Sequence, residues 1–258
     1  MIERLNRGWR VLATGLCFAV FGLGGLVVRC GVYPLLWLVV RHLQRRQWLA
    51  QHAIHYSFRG FVALMQGLGV LSYDVRGLER LQRRGLLILA NHPTLIDVVF
   101  LMAFVRSADC IVKAALARNP FTRGPIAAAG FITNSGGADL LHDCLRSLRA
   151  GHNLIVFPEG TRTPLSGPVR LQRGAAHVAV KGRVSITPVH IHCSAPLLTK
   201  GMSWWQVPVR KPHFRIEVRD DIAIEPFCQA ATSEALAARQ VMEHLSEQLF
   251  GETSSASA

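Results

Sequence analysis

Residues 86–101 read LLILANHPTLIDVVFL. Leu86–Ala90 is apolar without interruption, the pattern of a strand covered on both faces. The run stops at Asn91-His92-Pro93, and a second apolar stretch begins at Ile96-Asp97. Pro93 stiffens the turn, and Asp97 opens a helix over 97–106. A strand, a turn and a helix in this order form one repeat of an α/β sheet. Ligands in such sheets sit beyond the carboxyl ends of the strands, so His92 and Asp97 stand where chemistry is expected.

Working outward, 71–77 (LSYDVRG) alternates Leu71, Tyr73 and Val75, as an edge strand does. GLERLQRR reads as a short helix. Short strands are predicted at 109–114, 130–134, 153–158 and 184–191. Helical stretches fall at 97–106, 121–129, 137–149 and 173–181. HFRIEVRD (213–220) suits a strand with one wet face. A last helix covers 232–250, with Ser233 as its N-cap and Gly251 as its stop. The predicted class is α/β: a central mixed, largely parallel sheet flanked by helices and preceded by N-terminal membrane-associated helices. No internal repeat or linker divides the chain. The expected organisation is a membrane-associated helical segment (1–68), an α/β domain (69–250) and a disordered tail (251–258).

The first segment carries Arg4, Arg7 and Arg10, then eighteen uncharged residues, Val11–Val28, near the minimum for a bilayer span. Arg29 follows, then a shorter apolar run containing Pro34, then basic RHLQRRQ (41–47). With arginines at both ends, a single span is poorly oriented. A hairpin entering one leaflet, or a tilted interfacial helix, fits better than a cleaved leader or a buried core helix. A further helix is predicted over 43–68, with His52, His55 and Arg59 solvated or interfacial. Trp204 and Trp205 either dip into the interface or pack locally.

Composition agrees with a membrane surface. The chain has 258 residues, a net charge of +13 and a hydrophobic fraction of 50%, and its mean hydropathy is +0.26. Anionic partners are implied. The basic residues are dispersed and no nucleic-acid motif appears, so lipid headgroups, not nucleic acid, account for the charge. The six cysteines lack CxxC spacing, which suits reduced thiols facing a cytosol. His190, His192 and Cys193 lack a fourth ligand, so no metal is assigned.

Two loops carry the chemistry. In NHPTLID, the Asp97 carboxylate can meet one imidazole nitrogen of His92, fix its tautomer and leave the other nitrogen free to take a proton. In FPEGTRT (157–163), Gly160 allows close backbone approach, Thr161 and Thr163 bring hydroxyls, Glu159 a carboxylate and Arg162 a guanidinium. Such a collection can hold a phosphate or polar headgroup. A loop ion pair of Arg162 with Glu159 is the plainer alternative. Arg173 follows at the start of a helix. No Gly-x-Ser-x-Gly elbow is present, so serine esterase chemistry is unsupported.

These two motifs, in order and each after a strand, resemble the glycerolipid acyltransferase family, with its Asn-His-x4-Asp and Phe-Pro-Glu-Gly-Thr-Arg blocks. The resemblance runs from about residue 70 to about 220. It extends to Lys113 and Pro120 between the first two family motifs and to Pro188 in a fourth. It implies that His92 is a general base, that Asp97 orients it, and that an acceptor hydroxyl attacks an acyl thioester with no acyl-enzyme. It places Asn91, Lys113, Glu159, Gly160, Thr161, Arg162 and Arg173 among substrate-binding residues. No cofactor is implied beyond the donor substrate, acyl-CoA or an acyl carrier protein. The expected location is the cell inner membrane, with the catalytic domain facing the cytoplasm. One departure stands out: where the family's second motif reads Gly-x-x-Phe-Ile-x-Arg, this chain has Ala128 and Asn134 at the glycine and arginine positions. Asparagine supplies no charged fork, so the acceptor need not carry a phosphate. A binding protein on the same fold is the rival reading.

Overall fold

The structure is a computed structural model that describes residues 2–134, 137–165 and 167–255. Three helices come first. α1 (Ile2–Val27) runs through a π-helical turn (Val28–Val32) into α2 (Tyr33–Val39), and α3 (Leu43–Gly67) follows a short break. The α/β unit then reads β1 (Ser72–Arg76), a 3-10 turn (Leu78–Gln82), β2 (Leu87–Ala90), α4 (Asp97–Phe104), β3 (Ala108–Lys113), α5 (Ala114–Arg118), α6 (Arg123–Ala129), β4 (Ile132–Asn134), α7 (Gly137–Arg149), β5 (Asn153–Val156), α8 (Gly174–Gly182), β6 (Ile186–Cys193), β7 (His213–Val218), α9 (Glu225–Ala230) and α10 (Glu234–Ser255).

The seven strands form one sheet in the order β1-β7-β6-β2-β5-β3-β4. β6, β2, β5, β3 and β4 are mutually parallel. β7 is antiparallel to β6 and parallel to β1, which forms the edge. The sheet is therefore mixed and largely parallel, as expected, and β2 lies at its centre. All four β2 residues are buried. Their side chains alternate between two cores: Ile88 and Ala90 face α3 and α4, whereas Leu87 and Leu89 face α7, α8 and α10. This two-sided cover is what the unbroken apolar run encodes.

The N-terminal region differs from expectation in three respects. First, no reversal occurs inside residues 2–40. Leu5–Val39 is one continuous 35-residue helix, and the chain turns only at 40–42. Pro34 is accommodated in the first turn of α2, directly after the π-helical turn, where its missing N–H costs least. Second, α3 is not a separate membrane segment. Ile54, Val62 and Met65 lie in the same core as Phe100 and Ile88. His55 is buried, with Nδ1 3.0 Å from the Met102 carbonyl and 3.1 Å from that of Val105. Burial lowers its pKa from the ordinary imidazole value. Gln51 donates to the Asp109 carboxylate (2.7 Å) and the Ala129 carbonyl (3.2 Å). Third, α1 is clamped onto the α/β unit. Arg7 donates to the Val207 carbonyl, Arg10 to those of Pro208 and Val209, and Trp9 to that of Leu68. Gly15 lets Trp204 approach within 3.1 Å of where a Cβ would lie. Trp204 therefore packs one edge on α1, and both it and Trp205 remain exposed.

At the other end, Ser233 caps α10 through Leu236 N (3.3 Å). The helix passes Gly251, expected to stop it, and ends at Ser255; the last three residues of the expected tail lie outside the described residues.

Candidate active site

The parallel strands deliver the predicted residues to one sheet edge. His92 follows the carboxyl end of β2 and Glu159 that of β5. Lys113 ends β3, paired in register with Asn134 at the end of β4. Lys113 and Arg173 are exposed there, and Arg173 precedes α8.

His92 and Asp97 meet as a pair. Nδ1 of His92 lies 2.9 Å from Asp97 Oδ2. Oδ2 also accepts the backbone N–H of Thr94 (2.6 Å), and Oδ1 accepts the Thr94 hydroxyl (2.7 Å). Asp97 is 0% exposed. Its burial raises its pKa above the ordinary carboxylate value, and the bonds from His92 and Thr94 partly offset this. With a carboxylate at Nδ1, the proton belongs on that nitrogen, so Nε2 is left as the basic site. Phe157 stacks on the imidazole, with ring centroids 4.3 Å apart, and fixes its plane.

The second loop holds the first by its backbone. Oε1 of Glu159 accepts the His92 N–H and the Thr163 hydroxyl, both at 2.8 Å. Thr163 N donates to the His92 carbonyl (2.7 Å). The His92 residue is thus bracketed on both sides of its backbone. Glu159 is 5% exposed, and among the described residues its Oε2 has no hydrogen-bond partner. Burial raises its pKa as well. Gly160 closes the turn from Phe157 (3.0 Å) with φ +64°. An added Cβ would find only ordinary contact, with Gln172 at 3.7 Å. Left-handed backbone, rather than lack of room, is what requires glycine there.

Two expected substrate ligands have other partners. Asn91 places its amide nitrogen 2.8 Å from the Ile191 carbonyl, and its amide oxygen accepts the Ile191 N–H at 2.7 Å. It ties the end of β2 to β6. Arg162 does not pair with Glu159. Its Nη1 donates to the carbonyls of Leu198 (2.9 Å) and Thr199 (3.0 Å). The Leu198 carbonyl also accepts Leu95 N (3.1 Å), so this turn joins the two motif loops. Thr161 lies half-buried between Gly160 and Arg162. Sequence reasoning gave no role to Thr94 or Phe157, and it offered the Thr163 hydroxyl to a headgroup, whereas that hydroxyl bonds Glu159. For Thr94 and Phe157, position inside the two quoted motifs was the only signal.

The largely parallel sheet thus carries a buried carboxylate–histidine pair at its carboxyl edge. The acyltransferase family model matches residues 72–192, which enclose both loops. The chain is 30% identical over 180 residues to the 1-acyl-sn-glycerol-3-phosphate acyltransferase of Saccharomyces cerevisiae, covering 66% of this chain and 58% of that protein. It is 27% identical over 125 residues to the enzyme of the same name from Pseudomonas aeruginosa, covering 46% of this chain and 49% of that one. The chain thus spans about half the length of the curated relatives it matches. The crystal structure of the 1-acyl-sn-glycerophosphate (LPA) acyltransferase PlsC from Thermotoga maritima superposes with a TM-score of 0.70 at 19% identity, over 95% of both chains, and has the same fold. The chain is thus similar to glycerolipid acyltransferases over the part that holds both loops.

Proposed function

We propose that the chain is a membrane-bound O-acyltransferase. It moves a fatty acyl group from an acyl thioester, on coenzyme A or an acyl carrier protein, to the hydroxyl of a lysophospholipid-like acceptor. The observation that carries this reading is the bond between His92 Nδ1 and the fully buried Asp97 carboxylate. Nε2 takes the acceptor's hydroxyl proton as the oxygen attacks the thioester carbonyl. The carbon–sulfur bond then breaks, and the imidazolium returns the proton to the leaving thiolate. Asp97 stays ionised and stabilises the imidazolium between these transfers. No acyl-enzyme is needed.

Lys113, Gly160, Thr161, Arg162 and Arg173 stand on the acceptor side of this proposal, with Glu159 shaping the loop that carries three of them. The lysophosphatidic-acid activity named for the relatives is one acceptor choice. Asn134, where the family has arginine, supports a second: a phosphate-free hydroxyl acceptor. Membrane attachment is assigned to Leu5–Val39, whose most apolar window is only 17% buried. Leu12, Leu23, Leu35, Trp37 and Leu38 point outward. With the basic residues of 41–46, this face suits the cytoplasmic leaflet of the inner membrane.

The test is acyl transfer by purified full-length protein in detergent, from oleoyl-coenzyme A to 1-oleoyl lysophosphatidic acid and to a phosphate-free monoacylglycerol, followed by mass spectrometry. His92→Ala should lower turnover by about a hundredfold to ten-thousandfold, the usual contribution of a general base. Near-native turnover in that variant refutes the mechanism.

A further inference from the structure

α1 is fastened to the α/β unit at two places. Near its start, Arg7 and Arg10 donate to carbonyls at 207–209, and Trp204 packs against Gly15 and Phe18, with the Phe18 ring centroid 6.3 Å away. Near its end, Gly25 leaves no room for a side chain: an added Cβ would lie 2.6 Å from the Phe121 carbonyl oxygen. Arg29, in the π-helical turn that follows, donates to the Pro120 carbonyl (3.0 Å). From Arg10 to Gly25 the helix rises about 22 Å at 1.5 Å per residue. Two loops, 113–123 and 200–211, therefore flank one helix at separate points.

Both loops turn large apolar side chains outward. Leu116 and Phe121 on the first, and Trp204, Trp205 and Val209 on the second, are each 42–55% exposed. Their rims are basic: Arg118 and Arg123 on one, Lys200, Arg210 and Lys211 on the other, all exposed. Beside them α1 exposes Leu5, Leu12, Leu16 and Leu23, which share one flank at helical period. Charge follows the same division. No carboxylate occurs between Glu3 and Asp74, between Asp109 and Asp139, or between Glu159 and Glu217. α1 from Arg4 onward and both loops lie inside these three stretches. An exposed apolar patch of this extent with a polar rim marks an interaction surface. Tryptophan favours the water–bilayer boundary, and lysine and arginine favour anionic headgroups.

We propose that loops 113–123 and 200–211 join α1 in one surface for an anionic bilayer, with Phe121 and Trp205 entering the headgroup region directly. The assignment rests on the membrane attachment proposed for Leu5–Val39 and extends it from the N-terminal helices to the α/β unit. Both loops leave the carboxyl edge of the sheet. The first starts at Lys113, the last residue of β3, and the second follows the Leu198–Thr199 turn that receives Arg162. Lipid contact by the loops therefore also fixes how the catalytic edge meets the membrane.

Full-length protein is added to vesicles of phosphatidylcholine and phosphatidylglycerol, with and without lipid brominated near the headgroup. The emission lost on Trp205→Phe isolates that ring from the other tryptophans, and bromolipid should quench that share. In flotation over a lipid titration, Trp205→Ser with Phe121→Ser should weaken binding about tenfold. Arg210→Gln with Lys211→Gln should weaken it about fivefold per charge removed, an effect that fades at high salt. All four positions are exposed, so the variants should melt as the native protein does. If the native protein floats but Trp205 is not quenched and these variants bind as it does, the loops are no membrane contact and attachment through Leu5–Val39 stands alone. If Leu35→Glu with Leu38→Glu floats as native while the loop variants do not, the helical attachment fails and the loop contact stands. If the native protein does not float, both are overturned. A dimer in detergent that Trp205→Ser dissociates, with no quenching by lipid, would assign the surface to a second copy of the chain and overturn the bilayer contact.

Discussion

Replacing Asp97 by asparagine separates the charge of the site from its shape. Asp97 accepts three hydrogen bonds while fully buried. Oδ2 faces two donors, His92 Nδ1 and Thr94 N, so an amide nitrogen cannot sit there. An asparagine must put its oxygen at that position and its nitrogen toward the Thr94 hydroxyl, which can turn to accept. Tautomer and ring orientation then survive, and only the negative charge is lost. In the proposed mechanism that charge stabilises the imidazolium formed in the transition state. Charge-assisted bonds are roughly twice as strong as neutral ones, and the environment is dry. Turnover should fall about a hundredfold to ten-thousandfold, or roughly 2.7–5.4 kcal/mol at 1.36 kcal/mol per tenfold, with little change in either Michaelis constant.

Stability should move the other way. Burial raises the Asp97 pKa above its ordinary 3.8. A carboxyl raised in the folded state makes its favourable contribution at pH below the unfolded value and loses it as pH rises through the folded value. At neutral pH the Asp97 charge therefore weighs against folding, and Asp97→Asn removes that cost. The variant should melt at or above the native temperature at pH 7, and its advantage should shrink as pH falls toward 3.8. Steady-state kinetics and calorimetry across pH are the assays. Turnover within tenfold of native would refute the need for a charged orienter. A variant that melts well below native at pH 7 would refute the assignment of its hydrogen bonds.

Glu159→Gln should likewise melt no lower than native at neutral pH and lose its advantage toward pH 4.5, because burial raises this carboxyl too; a lower melting point at pH 7 would contradict this. Asn134→Arg, opposite Lys113 in the β3–β4 register, should improve kcat/KM for lysophosphatidic acid about tenfold, the worth of a charged hydrogen bond, and leave a monoacylglycerol unaffected. An equal change for both acceptors would place the effect elsewhere. Leu35→Glu combined with Leu38→Glu, at two exposed positions, should shift the protein out of the floating fraction with anionic vesicles, since each buried charge costs up to about 3 kcal/mol. Unchanged flotation would move the anchor away from α2.

The sheet was legible because its strands carry period and burial in their own residues. The unbroken run at Leu86–Ala90 marks the central strand, and the alternation of His213–Val218 marks a strand with one wet face. β1 was placed at the edge from three alternating residues. What sequence missed depends on partners far along the chain. His55 looks solvated on a helix, yet it is buried with the Met102 and Val105 carbonyls as partners, and Gln51, one turn before it, is buried on Asp109 and Ala129. Arg7 and Arg10 look like headgroup ligands, but carbonyls at 207–209 receive them. Asn91 and Arg162 were read by what their side chains can bind. Backbone groups of Ile191, Leu198 and Thr199 reach them first.

The same contacts explain why two separated motifs occur together. Asp97 and Thr94 hold the His92 side chain, but nothing within NHPTLID holds its peptide groups. Glu159 takes the His92 N–H and Thr163 supplies an N–H to its carbonyl. Arg162 fastens the turn at Leu198, which in turn binds Leu95. The second loop is thus the backbone support of His92, and under the proposed function it is also the surface for a polar head. Substitutions within 159–163 should therefore divide into two kinds. Those at side chains facing the acceptor raise its Michaelis constant alone. Those that release the His92 backbone lower turnover with both substrates saturating, because a base displaced by an ångström loses its near-attack geometry.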